Sequence, residues 1–122
     1  LFDDIVVVDT GSTDGTPRIA EELGARVVSF PWVDDFAAAR NAALEHARGD
    51  YAFWLDADDR VDEGNRAKLA DLFAGLRDEH AAYVVKCRCV PDRPGGSPTV
   101  VDHVRLFRLR ADVRWSYRVH EQ

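Results

Sequence analysis

The stretch YAFWLDADDR closes an apolar and aromatic run with three carboxylates, Asp56, Asp58 and Asp59. Like charges this close repel one another, so the cluster calls for a cation. In extended backbone Asp56 and Asp58 point to one side and Asp59 to the other. Two carboxylates on one side suit a hard divalent cation such as Mn²⁺ or Mg²⁺, whose open positions phosphate oxygens typically fill. The competing reading is capping and dipole compensation of the next helix by Asp58, Asp59, Asp62 and Glu63. It accounts for acids just before a helix but poorly for Asp56, directly after FWL.

A second polar stretch is VVVDTGSTDGT, with Asp9, Thr10, Ser12 and Asp14. A Gly- and Ser/Thr-rich turn between a strand and a helix can wrap a nucleotide. It is neither a P-loop, since the required Lys does not occur, nor a GxGxxG turn. The plain alternative is a well-capped βα turn. Arg40 stands in AAARNAAL, on a helix otherwise coated with Ala, where it could reach a diphosphate or lie at the surface. In RVHEQ, His120 is a candidate metal ligand and Glu121 a candidate base, against the reading of a solvated segment.

Residues 4–9, DIVVVD, are β-branched and apolar, as in a buried parallel strand. Thr16 and Pro17 suit the N-cap and first position of a helix, RIAEEL, that stops at Gly24. ARVVSF is a second strand. Asp34 or Asp35 can cap the next helix, FAAARNAALEHA, which ends at Gly49. YAFWL is a third strand. Leu69, Leu72, Phe73 and Leu76 mark a helix over 64–77 by their spacing. This β-α-β-α-β-α order predicts a mostly parallel sheet flanked by helices, with VVVDTGSTDGT and FWLDADD opening on one shared edge. The remainder reads as antiparallel strands, AAYVVKCRCV, TVVDHVRLFRLR and VRWSYRVH, joined by the turns PDRPGGSP and ADV. The fold class is thus α/β with an antiparallel C-terminal β portion.

The 122 residues suffice for one small domain with a core, and 46% hydrophobic with 31% charged residues describe a globular chain. A net charge of -6 argues against nucleic-acid binding through phosphate neutralisation. No run approaches the roughly 18 apolar residues of a membrane span. LFDDIVVVDTG has neither the basic region nor the cleavage site of a signal peptide. Cys87 and Cys89 share one strand face and read as two small core residues, without a disulfide framework, which suits the cytoplasm.

Together VVVDTGSTDGT, FAAARNAAL and FWLDADD resemble the family 2 glycosyltransferases of the GT-A nucleotide-sugar fold. With PWVDDFAAARN, RLFR and RVHE the chain is most similar to the bacterial subgroup of lipopolysaccharide-core and peptide S-glycosyltransferases. The resemblance implies transfer of a sugar from a nucleoside-diphosphate sugar, with a UDP-sugar the favoured donor, to an acceptor, usually with inversion. It implies that Asp9, Thr10, Ser12, Asp14, Arg40 and Asp56 contact the donor. Asp58, with Asp56 or Asp59 and with His120 as a further ligand, would hold Mn²⁺ or Mg²⁺ in the D-x-D manner, and Glu121 would be the base. Many relatives carry Asp where Thr10 stands, which bears on the uridine preference.

On this reading residues 1–122 are one GT-A-like domain, 1–78 the nucleotide-binding part and 79–122 the acceptor-side part. The chain starts at the family's second strand, so the resemblance implies a fragment with little turnover by itself. Exposed sheet edges would favour pairing with another chain, and peripheral membrane association is compatible with the sequence. The rivals are a phosphohydrolase using DxD as nucleophile and acid, where Arg60 stands in place of the usual Thr or Val, and a non-catalytic nucleotide- or partner-binding module.

Overall fold

The computed structural model describes residues 1–77, 82–91, 93, 95–110 and 112–122. Its elements run β1 (Val6–Asp9), α1 (Thr16–Glu22), β2 (Arg26–Ser29), α2 (Phe36–His46), β3 (Tyr51–Phe53), α3 (Glu63–Ala74), β4 (Ala82–Cys89) and β5 (Thr99–Arg108). They divide between two compact units. One holds Phe2–Asp50 and Leu109–Gln122, the other Tyr51–Arg108 and Leu1. No helix among the described residues is long and apolar enough to cross a membrane.

In the α/β unit, β1 and β2 pair in parallel with Val6 opposite Arg26. The β-branched strands VVVD and RVVS suit this pairing, and α1 is the connection that parallel strands require. α1 is capped by Gly15, not by Thr16, whose N–H donates to Asp14 Oδ1 at 2.9 Å. The Asp14 carboxylate satisfies that amide from outside the helix, so Thr16 enters the first turn. Gly24, at φ +90, ends the element. Arg26 donates from Nε and Nη2 to the two oxygens of Asp4, at 2.9 and 2.7 Å, tying β2 to the chain before β1.

α2 begins at Asp35, whose side chain accepts from Ala38 N at 2.9 Å. Its buried residues, Ala37 and Ala42, are small and admit close approach of the backbone around them. The expected strand VRWSYRVH does not form, and Ala111, in the expected turn before it, lies outside the described residues. The physical reason is that its backbone groups are engaged elsewhere. Asn41 donates to Trp115 O at 2.9 Å and accepts from Trp115 N at 2.8 Å. Phe36 N donates to Arg118 O, and Ser116 and Gln122 exchange two backbone hydrogen bonds. Tyr117 (φ 72) and His120 (φ 54) sit in the left-handed region, which breaks extended backbone.

The other unit is built on the three-stranded antiparallel sheet β3-β5-β4. The expectation that YAFWL joins the parallel sheet is therefore corrected. β3 pairs antiparallel with β5, Tyr51 opposite Arg108 and Phe53 opposite Leu106. A short apolar run lines two buried faces equally well in either orientation, so its composition does not choose the partner. The ends of VVVD and FWLD accordingly belong to two hydrogen-bonded sheets, not one.

Leu106 (2% exposed) and Phe107 form the sheet's buried centre. α3 contributes buried Leu69, and Phe73 meets Phe53 edge-on at 5.9 Å. Asp62 caps α3 by accepting from Asn65 N at 2.8 Å. Of the two strand cysteines, Cys87 is half-buried, but Cys89 is exposed at the end of β4 and is no core residue. Ala81, the expected start of that strand, and Asp92 and Pro94 of the expected PDRPGGSP turn lie outside the described residues.

Candidate functional site

In the α/β unit, β1 delivers Asp9 to the start of the glycine-rich turn. Gly11, at φ +121, takes a conformation that residues with a Cβ rarely adopt. The turn then folds back on the carboxylate, which accepts from Gly11 N at 3.3 Å and from Ser12 N at 3.2 Å. The Ser12 hydroxyl, followed by these two amides, holds the Asp9 carboxyl below the usual aspartate range against an opposing burial effect. Asp14 is held down in the same direction by the Thr16 hydroxyl and amide. Thr10 and Ser12 are exposed on the turn, and Asp9 is half-buried.

On α2, Arg40 Nε donates to Glu121 Oε1 at 2.7 Å, and the two side chains are 20% and 14% exposed. The Arg40 guanidinium also lies 5.1 Å from the centroid of the Trp115 ring. Two sequence candidates 81 positions apart thus form one pair. Burial pushes the Glu121 carboxyl upward, but its own backbone amide and then Arg40 outweigh this and leave it lowered. Its proton affinity is therefore reduced. His120 is exposed beside it in the segment 116–122.

In the antiparallel unit the acidic stretch folds into a closed turn. Asp59 N donates to Asp56 O at 3.0 Å, and Asp59 Oδ2 accepts from Asp56 N at 2.9 Å. Arg105 of β5 reaches the same carboxylate, with Nη1 2.7 Å from Asp59 Oδ2 and 3.8 Å from Asp56 Oδ2. Asp58 is exposed and makes no hydrogen bond or ion pair among the described residues. The acids are thus sorted by environment: Asp59 is tied down, the Asp56 side chain is 43% exposed, and Asp58 is open.

Among the described residues no three or more His, Cys, Asp or Glu side chains form a ready-made metal cage. The open Asp58 and partly open Asp56 fit the sparser requirement of a cation bound by one or two carboxylates and completed by phosphate oxygens. Arg105 was not among the residues singled out from sequence. Its signals are a basic residue inside the apolar run of HVRLFRL and its place at the head of the RLFR stretch.

Residues 1–118 match the family described as glycosyl transferase family 2. Over 98% of its length the chain is 36% identical to a TPR repeat-containing protein of Synechococcus elongatus, covering 28% of that protein. It is 28% identical over 99% of its length to the SPbeta prophage-derived glycosyltransferase SunS of Bacillus subtilis, covering 28% of it. It is 33% identical over 77% of its length to glycosyltransferase AglJ of Haloferax volcanii, covering 30% of it. The chain therefore spans less than a third of each of these relatives. The extent of the family match shows that the chain belongs to glycosyl transferase family 2.

Proposed function

We propose that this chain is the donor-binding part of an enzyme that transfers a sugar from a nucleoside-diphosphate sugar, a UDP-sugar by preference, to an acceptor with inversion. The observation that carries this reading, beside family membership, is the sorted acidic turn. It leaves Asp58 exposed and without a partner among the described residues, while its neighbour Asp59 is paired with Arg105. In the reaction an acceptor nucleophile loses its proton and bonds to the anomeric carbon. The bond from that carbon to the diphosphate oxygen breaks, and the nucleoside diphosphate leaves with added negative charge.

Asp58 and Asp56 would hold Mn²⁺ or Mg²⁺. Such a cation supplies positive charge to the departing diphosphate. Asp9, fixed as an ionised acceptor by the turn amides, suits hydrogen bonds from the base or ribose, and Thr10, Ser12 and Asp14 line the same exposed turn. Arg40 suits a phosphate oxygen, and Glu121, with its lowered proton affinity, is better fitted to orient Arg40 than to accept a proton.

Calorimetric titration of the chain with UDP, with and without Mn²⁺, tests this. Saturable binding that needs Mn²⁺ is expected. Asp58→Ala should weaken it by at least the roughly 10–100-fold that losing even an outer-shell partner costs. Metal-independent binding, or binding unchanged in Asp58→Ala, would overturn the reading.

A further inference from the structure

Two hydrogen bonds between Asp56 and Asp59 close the acidic turn, while like charges crowd beside it. What offsets the repulsion is Arg105. Its side chain is 5% exposed, so its charge has left water and is costly unless it is paired. Among the described residues the guanidinium contacts Asp59, Asp56, Trp54 and Cys87. Nη1 donates to Asp59 Oδ2 at 2.7 Å and lies 3.5 Å from Trp54 O. Nη2 lies 3.2 Å from Cys87 Sγ. The group stacks on the Trp54 ring at 3.8 Å from its centroid, a cation–π arrangement. Nε is buried with no hydrogen-bond partner among the described residues. Among the described residues Asp59 is therefore the nearest anionic partner of a buried cation, while Asp56 lies further off at 3.8 Å.

We infer that Arg105 is the positioning residue of the acidic turn. By holding Asp59 as a structural anion it selects the register in which Asp58 and Asp56, not Asp58 and Asp59, are offered to a cation. The inference rests on the donor-binding reading for the use of that register, but not for its geometry. Arg105 reaches the turn from the middle of β5, whose own backbone is fixed there by Trp54 N donating to Arg105 O at 3.0 Å. A flexible ammonium would carry the same charge without the planar fork that spans Asp59 and Trp54 together.

Amide hydrogen exchange on Arg105→Met, Arg105→Lys and Asp59→Asn, with Mn²⁺–UDP calorimetry on the same proteins, tests the inference. In Arg105→Met the Asp56 and Asp59 amides should exchange roughly tenfold faster or more, the size expected for losing a charge-assisted hydrogen bond. The sheet amides of Phe53 and Leu106 should keep their protection. Arg105→Lys should restore part of the loss, and Mn²⁺–UDP affinity should fall in step with the turn amides. If Arg105→Met also loses the sheet amides, Asp59→Asn decides: faster turn amides over an intact sheet support the inference. Turn amides as protected as in the wild type, in Arg105→Met or in Asp59→Asn, would overturn it. A wild-type chain that binds no Mn²⁺–UDP would sink the donor-binding reading, while the exchange data would still decide the role of Arg105.

Discussion

The two units immobilise their candidate carboxylates by opposite means. In the α/β unit Asp9 and Asp14 are held by amides and hydroxyls two or three residues along the chain, all near solvent. In the antiparallel unit Asp59 is held by a buried guanidinium 46 residues away. A local turn depends on backbone conformation and tolerates change in the core. A buried cation depends on the packing that excludes water around it, because that packing both strengthens the pair and makes its loss costly. The first design is sensitive to acid, the second to cavities.

The sharpest way to break the contrast is Leu106→Ala. Leu106 neighbours Arg105 on β5 and is the most buried of the large side chains. Its truncation should cost about 2–5 kcal/mol, read by denaturant unfolding with Trp54 emission as the probe in that unit. A loss below about 1 kcal/mol would mean that the sheet's centre is not what confines Arg105.

Asn41→Ala comes next. It removes both hydrogen bonds that the Asn41 side chain makes with the Trp115 backbone. A destabilisation of about 1–3 kcal/mol is expected, less the smaller gain from placing Ala in a helix. Faster exchange of the Trp115 amide is the direct readout. An unchanged rate would show that Arg40–Glu121 and Phe36–Arg118 hold the segment without Asn41.

The smallest expected effect is acid sensitivity. The carboxyls of Asp4, Asp9, Asp14, Asp112 and Glu121, all in the α/β unit, are lowered. For Asp4 the leading cause is the hydrogen bond from Arg26. A lowered native carboxyl stays ionised where the unfolded chain already takes up protons. Its contribution is therefore complete above the ordinary carboxylate range and is lost as pH falls from about 4 downward. Acid titration followed at Trp32 and Trp115 should show this loss, and Asp4→Asn should flatten part of it. Stability that rises on acidification through this range would contradict the assignment.

Features set by neighbouring residues were legible in the sequence. The presence of three helices, an Asp cap before α2 and the glycine-rich turn after β1 follow from spacing, capping chemistry and the freedom of glycine, although α3 ends at Ala74, with Gly75 as its cap, short of the expected 77. So did the acidic end of YAFWLD, because clustered Asp after an apolar run is a local pattern. The family match then showed which chemistry those motifs accompany.

Tertiary structure alone decided the rest. The partner of β3 was chosen by β5, more than 50 residues on, since a three-residue apolar strand presents the same surface to parallel and antiparallel neighbours. VRWSYRVH has the composition of a strand but is bent along α2, because Asn41 and Phe36 satisfy its backbone groups where no ladder does. Glu121 met Arg40, and Arg105 met Asp59, across separations that no local pattern records. The sequence by itself determined which carboxylates stand together at the end of YAFWLD. Only the fold decided which of them is neutralised and which is left open, because pairing with a buried cation is settled by packing and not by proximity along the chain.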